Sequence, residues 1–248
     1  MSAGFDYVDV EELKKRNIPL GHTPEVVNNG VANQAMGLMI SAGRRFHEGR
    51  QKIENSEWEN YHPQWMLGQD ISGATVGFFG LGRIGKTIAK RLAGFEVERI
   101  LYTTRHRIDE EIEQKLNASK ASFDDMLSQS DFVFIATPLT PETRGVFNSS
   151  AFGKMKKTAV LINIARGPIV NQDDLYEALK SKQIFAAGID VMYPEPLPAN
   201  HKLLTLPNLI ITPHTATSTL KTRTAMAVVA AQNVLRGLNG EKMVASAY

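Results

Sequence analysis

The stretch from Thr75 to Ala93, TVGFFGLGRIGKTIAKRLA, constrains the fold of this 248-residue chain more than any other. A short apolar run with the composition of a buried strand leads directly into Gly80, Gly82 and Gly85, spaced G-x-G-x-x-G. Apolar residues at helical spacing follow, so the stretch predicts a strand, a tight turn and a helix. In that context the glycines allow the turn, admit a pyrophosphate to the backbone and bring the helix close to the strand. We therefore predict dinucleotide binding at the helix N-terminus, the alternative being a structural turn without a ligand.

The composition is that of an ordinary globular protein and argues against several function classes. A net charge of +2 and the lack of a Lys/Arg block give no sign of a nucleic-acid-binding surface. The chain has no cysteine, so disulfides, thiolate catalysis and cysteine-bound metals are excluded. No apolar run has the length of a membrane span, and the first residues lack the apolar core of a signal peptide. We expect a cytoplasmic protein that binds neither nucleic acid, membrane nor metal.

Strand and helix patterns alternate along the rest of the chain. Strands are predicted at 99–103, 132–137, 158–165, 185–191 and 209–212. Helices are predicted at 109–116, 123–128, 149–155, 173–182 and 220–235, the last of them closed by Gly237. Upstream, the patterns predict a short helix at 10–16 capped by Asp9, a strand at 18–21 and a helix at 29–46. This alternation predicts an α/β fold with a doubly wound parallel sheet.

The helix predicted at 29–46 leaves two interpretations open. Small apolar residues occupy several of its faces, which suits either a core helix or a helix at a subunit interface. The loop that follows contains Trp58, Tyr61 and Trp65 between proline and glycine residues. These aromatic side chains suit either surface packing or a lid that contacts a partner.

Three chemically distinctive side chains follow successive predicted strands. Arg166 comes directly after the strand at 158–165, Glu195 shortly after the strand at 185–191, and His214 after the last strand. Each residue alone is more often a surface charge or a helix cap. Because ligands of doubly wound sheets bind beyond the carboxyl ends of the strands, the joint placement of all three predicts a site.

This trio suits the reduction of a 2-oxo acid. Histidine exchanges its proton near neutral pH and can protonate the developing alkoxide. A neighbouring carboxylate favours the protonated imidazolium. Arginine stays charged and can hold a substrate carboxylate through two parallel N–H bonds. A dinucleotide would supply the hydride, while the protein supplies position and electrostatics.

Five ordered motifs together resemble the D-isomer-specific 2-hydroxyacid dehydrogenases: GFFGLGRIG, ATPLTPETRG, INIARGPIVNQDDLYEAL, AAGIDVMYPEPLP and ITPH. The resemblance runs from Ser2 to about Gly240. It implies a Rossmann domain and a discontinuous, flavodoxin-like substrate domain. On this chain it predicts a dinucleotide-binding domain at 23–212, with 1–22 and 213–248 forming part of the substrate domain.

The resemblance also implies roles for individual residues. His214 would protonate the substrate oxygen, Glu195 would support its charged form, and Arg166 would bind the substrate. Asp190 is expected beside the nicotinamide carboxamide. The full set of expected cofactor contacts from this source is Gly80, Gly82, Arg83, Ile84, Gly85, Pro138, Ala165, Asp190 and Ala216. Substrate contacts are expected from Ala3, Gly4, Arg166 and His214.

The segment after the second strand predicts a preference for NADPH, with NADH as the alternative. In NAD-binding folds an acidic residue about 20 residues after the glycines binds the ribose 2′-hydroxyl. Here Thr103, Thr104 and Arg105 occupy that region, and no acid is available. Arg105 could pair with a 2′-phosphate, and either threonine could donate a hydrogen bond to it. An ordinary solvated basic loop is the competing explanation.

The resemblance implies an oxidoreductase that transfers hydride from NADPH to glyoxylate or hydroxypyruvate, yielding glycolate or D-glycerate, and a homodimer built on the 29–46 helix. The alternative is a non-enzymatic dinucleotide-binding protein like the C-terminal-binding-protein corepressors, which resemble this chain in fold and trio. Ala216 stands where the family usually has a glycine that lets the backbone approach the nicotinamide, so the local fit to nicotinamide is affected. Family members carry further βα units before the MSAGFD loop. We therefore expect weak or absent catalysis and an exposed apolar face on the last helix.

Overall fold

The computed structural model of the chain describes residues 1–58 and 62–248. The described chain forms two compact units, one made of residues 1–31 and 216–248 and the other of residues 32–215. The first of these units therefore combines both ends of the chain. The assignment of these units to cofactor and substrate stays a prediction.

A seven-stranded parallel sheet forms the centre of the 32–215 unit. Its strands are β1 (Thr75–Phe79), β2 (Arg99–Thr103), β3 (Ala118–Lys120), β4 (Phe132–Ile135), β5 (Val160–Asn163), β6 (Ala186–Ile189) and β7 (Leu209–Ile211). They are ordered β3-β2-β1-β4-β5-β6-β7, and every neighbouring pair is parallel. The order reverses between β1 and β4, which is the switch point where ligands bind in doubly wound sheets. The predicted α/β fold with a doubly wound Rossmann sheet is confirmed.

Helices connect the strands of the sheet, and further helices lie in the smaller unit. They are α1 (Val10–Lys15), α2 (Asn28–Gly43), α3 (Phe46–Glu54), α4 (Arg83–Leu92), α5 (Glu110–Leu116), α6 (Phe123–Gln129), α7 (Ser149–Lys154), α8 (Gln172–Lys180) and α9 (Leu220–Leu238). Short 3₁₀ turns lie at Ala93–Phe95, Gly167–Ile169 and Lys202–Thr205. Among the described helices, none combines the length and the apolar character that crossing a membrane requires.

The central strands are buried on both faces, as their continuous apolar sequences predict. All four residues of β4 and of β5 are buried. Phe78 of β1 stacks on Phe134 of β4, with ring centroids 5.1 Å apart. This core holds the carboxyl ends of the strands at fixed spacing, which is what positions the loops beyond them.

Two predicted elements in the first part of the chain are wrong in detail. In the described structure, residues 18–21 form no strand, and Gly21 makes only an isolated antiparallel bridge with Ser246. The helix predicted at 29–46 ends at Gly43, and a separate helix begins at Phe46. Arg45 between them adopts a left-handed conformation with φ of 57°, which ends the helical path.

Helix α2 contributes to the core of the 32–215 unit. Six of its apolar residues are buried there: Ala32, Ala35, Met36, Leu38, Met39 and Ala42. A Cβ on Gly188 of β6 would lie 2.9 Å from the Leu38 Cβ, so helix and sheet are in close contact. This confirms the interpretation of α2 as a core helix. After α3, Trp58 stacks on Trp65 at 6.3 Å, while Tyr61 lies outside the described residues.

The last helix is longer than predicted and exposes apolar side chains. Gly237 lies inside α9, which continues to Leu238, and Gly240 with φ of 69° follows its end. Asn233 joins both chain ends within the smaller unit, because its Nδ2 donates to His22 and its Oδ1 accepts from the Ala245 N–H. The exposed apolar side chains of α9 include Leu220, Val228, Val234, Leu235 and Leu238.

Candidate active site

The glycine turn between β1 and α4 has the geometry that a bound pyrophosphate requires. Gly80 has φ of 95°, and a Cβ there would lie 2.7 Å from the Ala136 carbonyl oxygen. A Cβ on Gly85 would lie 2.8 Å from the Gly80 carbonyl oxygen, so this glycine permits close packing. At Gly82, by contrast, a Cβ would meet no atom within 4 Å, so the space beside the backbone is open.

Helix α4 begins with Arg83 and Ile84 immediately after Gly82, which is its N-cap. The first N–H groups of a helix have no partner within the helix and carry the positive end of its dipole. The two residues therefore present backbone donors beside the open space at Gly82. This arrangement fits the phosphates of a dinucleotide.

His214 and Glu195 form a hydrogen-bonded pair at the carboxyl ends of β6 and β7. The Nδ1 of His214 lies 2.7 Å from Oε2 of Glu195. The other oxygen of Glu195 accepts a hydrogen bond from the Met192 N–H at 2.9 Å, which fixes the carboxylate. Because Nδ1 is engaged by a carboxylate, Nε2 is the nitrogen that can carry a proton to a ligand. About half of the His214 side chain is exposed, so a ligand can reach it.

Asp190 is buried below the loop that carries His214. Its backbone carbonyl accepts the His214 N–H at 2.8 Å, and its Oδ1 accepts from the Thr212 hydroxyl at 2.6 Å and the Thr215 N–H at 2.9 Å. Gln34 of α2 donates to the Thr212 hydroxyl at 2.8 Å. These bonds hold His214 in a left-handed conformation with φ of 53°. The expected contact of Asp190 with nicotinamide stays a prediction.

Arg166 lies in the turn that follows β5. Its Nη1 donates to the Ala165 carbonyl at 2.8 Å. The buried side chain of Asn163 ties this turn together, because its Nδ2 donates to the Arg166 carbonyl at 3.1 Å and its Oδ1 accepts from the Ala165 N–H at 3.1 Å. The turn that presents Arg166 is therefore fixed by a side chain from the strand itself.

The Arg166 turn packs directly against the loop that holds Glu195. A Cβ on Gly167 would lie only 2.1 Å from the Met192 carbonyl oxygen, so the two backbones are in contact. Gln172 of α8 fixes the same loop through a reciprocal pair, accepting the Tyr193 N–H at 2.7 Å and donating to the Tyr193 carbonyl at 2.5 Å. The structure thus links the three trio residues through neighbouring loops of one sheet edge.

The segment after β2 differs in one respect from the prediction. The Thr103 hydroxyl donates to the Ala121 carbonyl at 3.1 Å, and the Thr104 hydroxyl donates to the His106 carbonyl at 2.6 Å. A hydroxyl has one proton, so neither threonine can also donate to a phosphate while these bonds persist. Arg105 is exposed. The pKa of the Glu142 carboxyl is lowered mainly by hydrogen bonds from Thr140 and the backbone, and to a smaller extent by the positive charge of Arg105.

The remaining predicted site residues are Pro138, Ala3, Gly4 and Ala216. Pro138 follows β4, and its carbonyl accepts the Thr143 hydroxyl at 2.8 Å. Ala3, Gly4 and Ala216 belong to the smaller unit, in which the Ala3 carbonyl lies 2.9 Å from His22 Nδ1. The φ angle of Ala216 is not positive, so alanine fits this backbone position without strain. The ligand contacts of these four residues stay predictions.

Sequence reasoning missed the residues that hold the site together, among them Asn163, Gln172 and Gln34. Asn163 offered one signal, since an amide inside a buried strand needs hydrogen-bond partners. Gln172 and Gln34 offered none, because their partners lie 21 and 178 residues away in sequence.

Comparison with known proteins places the chain in a family. Residues 36–216 match the family model of the D-isomer specific 2-hydroxyacid dehydrogenase, NAD binding domain. The human protein named glyoxylate reductase/hydroxypyruvate reductase is 47% identical over 243 residues, covering 98% of this chain and 74% of that protein.

Solved structures of similar sequence share the fold of this chain. A protein from Thermus thermophilus has a TM-score of 0.91 at 38% identity, covering 100% of this chain and 77% of that one. A glyoxylate reductase from Paecilomyes thermophila has a TM-score of 0.89 at 32% identity, covering 99% of this chain and 73% of that one. The glycine turn, the His214–Glu195 pair and the Arg166 turn stand on the same sheet edge that the matched family model covers. The chain is therefore a member of the D-isomer specific 2-hydroxyacid dehydrogenase family.

Proposed function

We propose that this protein reduces the small 2-oxo acids glyoxylate and hydroxypyruvate with NADPH, giving glycolate and D-glycerate. The observation that carries the proposal is the His214–Glu195 hydrogen bond of 2.7 Å on the sheet edge that also holds the glycine turn. The names of the human relative and of the Paecilomyes enzyme support the substrate class. The lack of cysteine is consistent with our proposal that the protein works in the cytoplasm.

The residues present fit a dinucleotide. The open space at Gly82 and the N-terminus of α4 would hold its pyrophosphate, and Arg105 would face its adenosine ribose. When bound, the cofactor supplies the hydride that reduces the substrate carbonyl. Pro138, Ala165, Asp190 and Ala216 would complete the set of cofactor contacts, the last two near nicotinamide.

The protein's own residues supply the proton and the orientation. Glu195, held by the Met192 N–H, stabilises the imidazolium of His214. His214 then donates the proton from Nε2 to the oxygen of the substrate carbonyl, and the ion pair keeps the ring oriented. Arg166 holds the substrate carboxylate.

The function is tested with a substrate panel assayed with both cofactors. We expect NADPH to be oxidised in the presence of glyoxylate and of hydroxypyruvate. Turnover in the usual enzymatic range of about 1–10³ s⁻¹ would contradict the weak catalysis that the sequence predicts for this chain. Tight dinucleotide binding without turnover on any 2-oxo acid would instead identify a binding protein, or a chain that lacks part of its catalytic apparatus.

We expect Arg105→Ala to weaken NADPH binding selectively. Loss of a charge-assisted pair with the 2′-phosphate should raise the Kd for NADPH about tenfold and leave the Kd for NADH nearly unchanged. Fluorescence titration with each cofactor measures both constants. Arg99→Ala is the matched control, because Arg99 is the first residue of β2 and therefore lies at the amino ends of the strands, away from the candidate site. Equal losses for both cofactors, or a wild-type preference for NADH, would contradict the assignment.

Arg166→Lys should reduce kcat/KM for glyoxylate by about tenfold or more, because one ammonium cannot replace the planar fork of the guanidinium. Steady-state kinetics on glyoxylate measure the loss, and Arg99→Lys is the control for a remote arginine. An unchanged kcat/KM would show that Arg166 does not hold the substrate.

We also propose a homodimer. The 32–215 unit carries an apolar surface along α3 and the segment after it, where Phe46 is 58%, Ile53 57%, Trp58 60% and Leu67 58% exposed. On the outward side of α2, Gly37 is exposed, and a Cβ added there would have no atom within 4 Å. Such a concentration of exposed apolar side chains is typical of an interaction surface.

Sedimentation at micromolar concentrations should give a dimer mass, and Phe46→Asp should shift it to a monomer because it places a charge in the apolar contact. Leu204→Asp is the control, since Leu204 is an exposed apolar residue elsewhere in the same unit. A monomer for the unmodified chain would refute the proposed dimer.

A further inference from the structure

The segment 103–108 leaves β2 beside the glycine turn. The Gly80 N–H donates to the Thr103 carbonyl at 3.0 Å, so the start of the segment is tied to the turn. Lys120, the last residue of β3, donates to the Arg105 carbonyl at 3.3 Å. The segment is therefore the wall that the adenosine ribose would meet in the proposed cofactor site.

A buried carboxylate lies under this segment and has no role in the proposed reaction. The Glu113 side chain of α5 is only 6% exposed, whereas that of its partner Arg107 is 65% exposed. Arg107 donates to Glu113 through Nε at 2.9 Å and Nη2 at 2.7 Å. The fully buried Tyr102 also donates its hydroxyl to Glu113, and it accepts the Ile108 N–H at 3.2 Å.

This cluster fastens both ends of the segment. Tyr102 comes just before the segment, and Arg107 and Ile108 are its last two residues. Tyr102 and Arg107 bind Glu113 directly, and the Ile108 N–H binds the Tyr102 hydroxyl. The hydrogen bonds from Arg107 and Tyr102 lower the pKa of the Glu113 carboxyl, so it stays ionised at neutral pH. Burying a carboxylate is costly unless it is paired, and Arg107 and Tyr102 are the partners that Glu113 has here.

The cluster also gives the two arginines of the segment different surroundings. Arg107 directs two of its N–H groups to Glu113, so its charge is already compensated. Arg105 lies between the two fastened ends and is exposed. Fixing those ends limits the positions that Arg105 can take and reduces the entropy lost when it binds an anion.

We propose that Glu113 is a positioning residue for the ribose 2′-phosphate of NADPH: by holding Tyr102 and Arg107 it fixes the 103–108 segment and leaves Arg105 to bind the phosphate. This inference rests on the proposed NADPH specificity. Glu113 itself does not touch the cofactor, so its effect should appear in cofactor discrimination and not in the chemical step.

The test compares Glu113→Gln with Glu111→Gln on the same helix. Both variants remove one negative charge from α5, but Glu111 is exposed and pairs with Lys115 instead of the segment. For Glu113→Gln we expect the Kd for NADPH to rise about tenfold and that for NADH by less than about twofold. Without cofactor, hydrogen exchange at the amides of 104–108 should be faster than in the unmodified protein. Glu111→Gln should change neither measurement.

Tyr102→Phe is the second variant, because it releases the Ile108 N–H without altering any charge. It should show the same selective loss of NADPH affinity and the same faster exchange. Unchanged cofactor discrimination in both variants, or equal weakening of NADPH and NADH, would overturn the inference. Arg105→Ala separates this outcome from failure of the proposed function. If Arg105→Ala weakens NADPH selectively and the Glu113 and Tyr102 variants do not, the cofactor assignment survives and the positioning role is wrong.

Discussion

Replacing His214 with alanine should lower kcat by about 10²–10⁴-fold, because the variant loses the proposed proton donor for the substrate oxygen. The dinucleotide should bind as before, since the glycine turn lies on a different loop. Steady-state kinetics with glyoxylate and a cofactor titration measure the two effects separately. His47→Ala on α3 is the control for loss of an exposed histidine of the same unit.

The hydrogen bond between His214 and Glu195 leads to a second prediction for the same site. In the proposed mechanism Glu195 acts through His214, because its Oε2 lies 2.7 Å from Nδ1. Glu195→Gln should therefore lower kcat by itself, yet add little to the loss in a protein that already carries His214→Ala. Additive losses would show that Glu195 acts on the substrate independently of His214. Near-normal turnover of His214→Ala would remove the histidine from the proposed mechanism.

Gly167→Ala should damage both the fold and the site. The added Cβ would lie 2.1 Å from the carbonyl oxygen and 2.2 Å from the carbonyl carbon of Met192, and neither backbone atom can rotate away. Relieving the overlap must separate the Arg166 turn from the loop whose Met192 N–H holds Glu195. We expect the free energy of unfolding to fall by about 1–3 kcal/mol, as for other overpacked positions. A displacement near 1 Å should lower kcat/KM by about 100-fold.

Thermal unfolding and steady-state kinetics measure these two losses. Gly153→Ala is the matched control, because Gly153 lies in α7 and a Cβ there meets no atom within 4 Å. That variant should keep its activity and gain up to about 1 kcal/mol from the better helix propensity of alanine. Wild-type stability and activity in Gly167→Ala would show that the two loops can move apart without consequence.

Local sequence sufficed wherever one short segment carries its own constraint. The glycine spacing at Gly80, Gly82 and Gly85 predicted the β1–turn–α4 unit because backbone conformation and close approach exclude other residues there. Continuous apolar runs predicted the central strands, because strands buried on both faces of a parallel sheet need apolar side chains throughout. The placement of Arg166, Glu195 and His214 after successive strands predicted the sheet edge on which they lie.

Elements whose stability comes from distant partners were not predictable in this way. Strand β3 has three residues and forms because its backbone pairs with β2. The strand expected at 18–21 is absent from the described structure, because Gly21 finds only a single bridge, to Ser246. Gly43 precedes the helix break at Arg45, but glycines also lie inside α2 and α3, so the packing of the two helices decides where each ends.

The sequence by itself therefore determined the doubly wound sheet, the dinucleotide turn and the residue types of the trio. Only the tertiary structure decided which side chains hold those residues in place. Glu113 is a charged residue in a charged helix, and nothing in its sequence marks it as buried. Its burial depends on Tyr102, 11 residues away in sequence, and on Arg107, 6 residues away. A charge can be buried only where folding brings partners to it, so contacts between separate segments decide such positions.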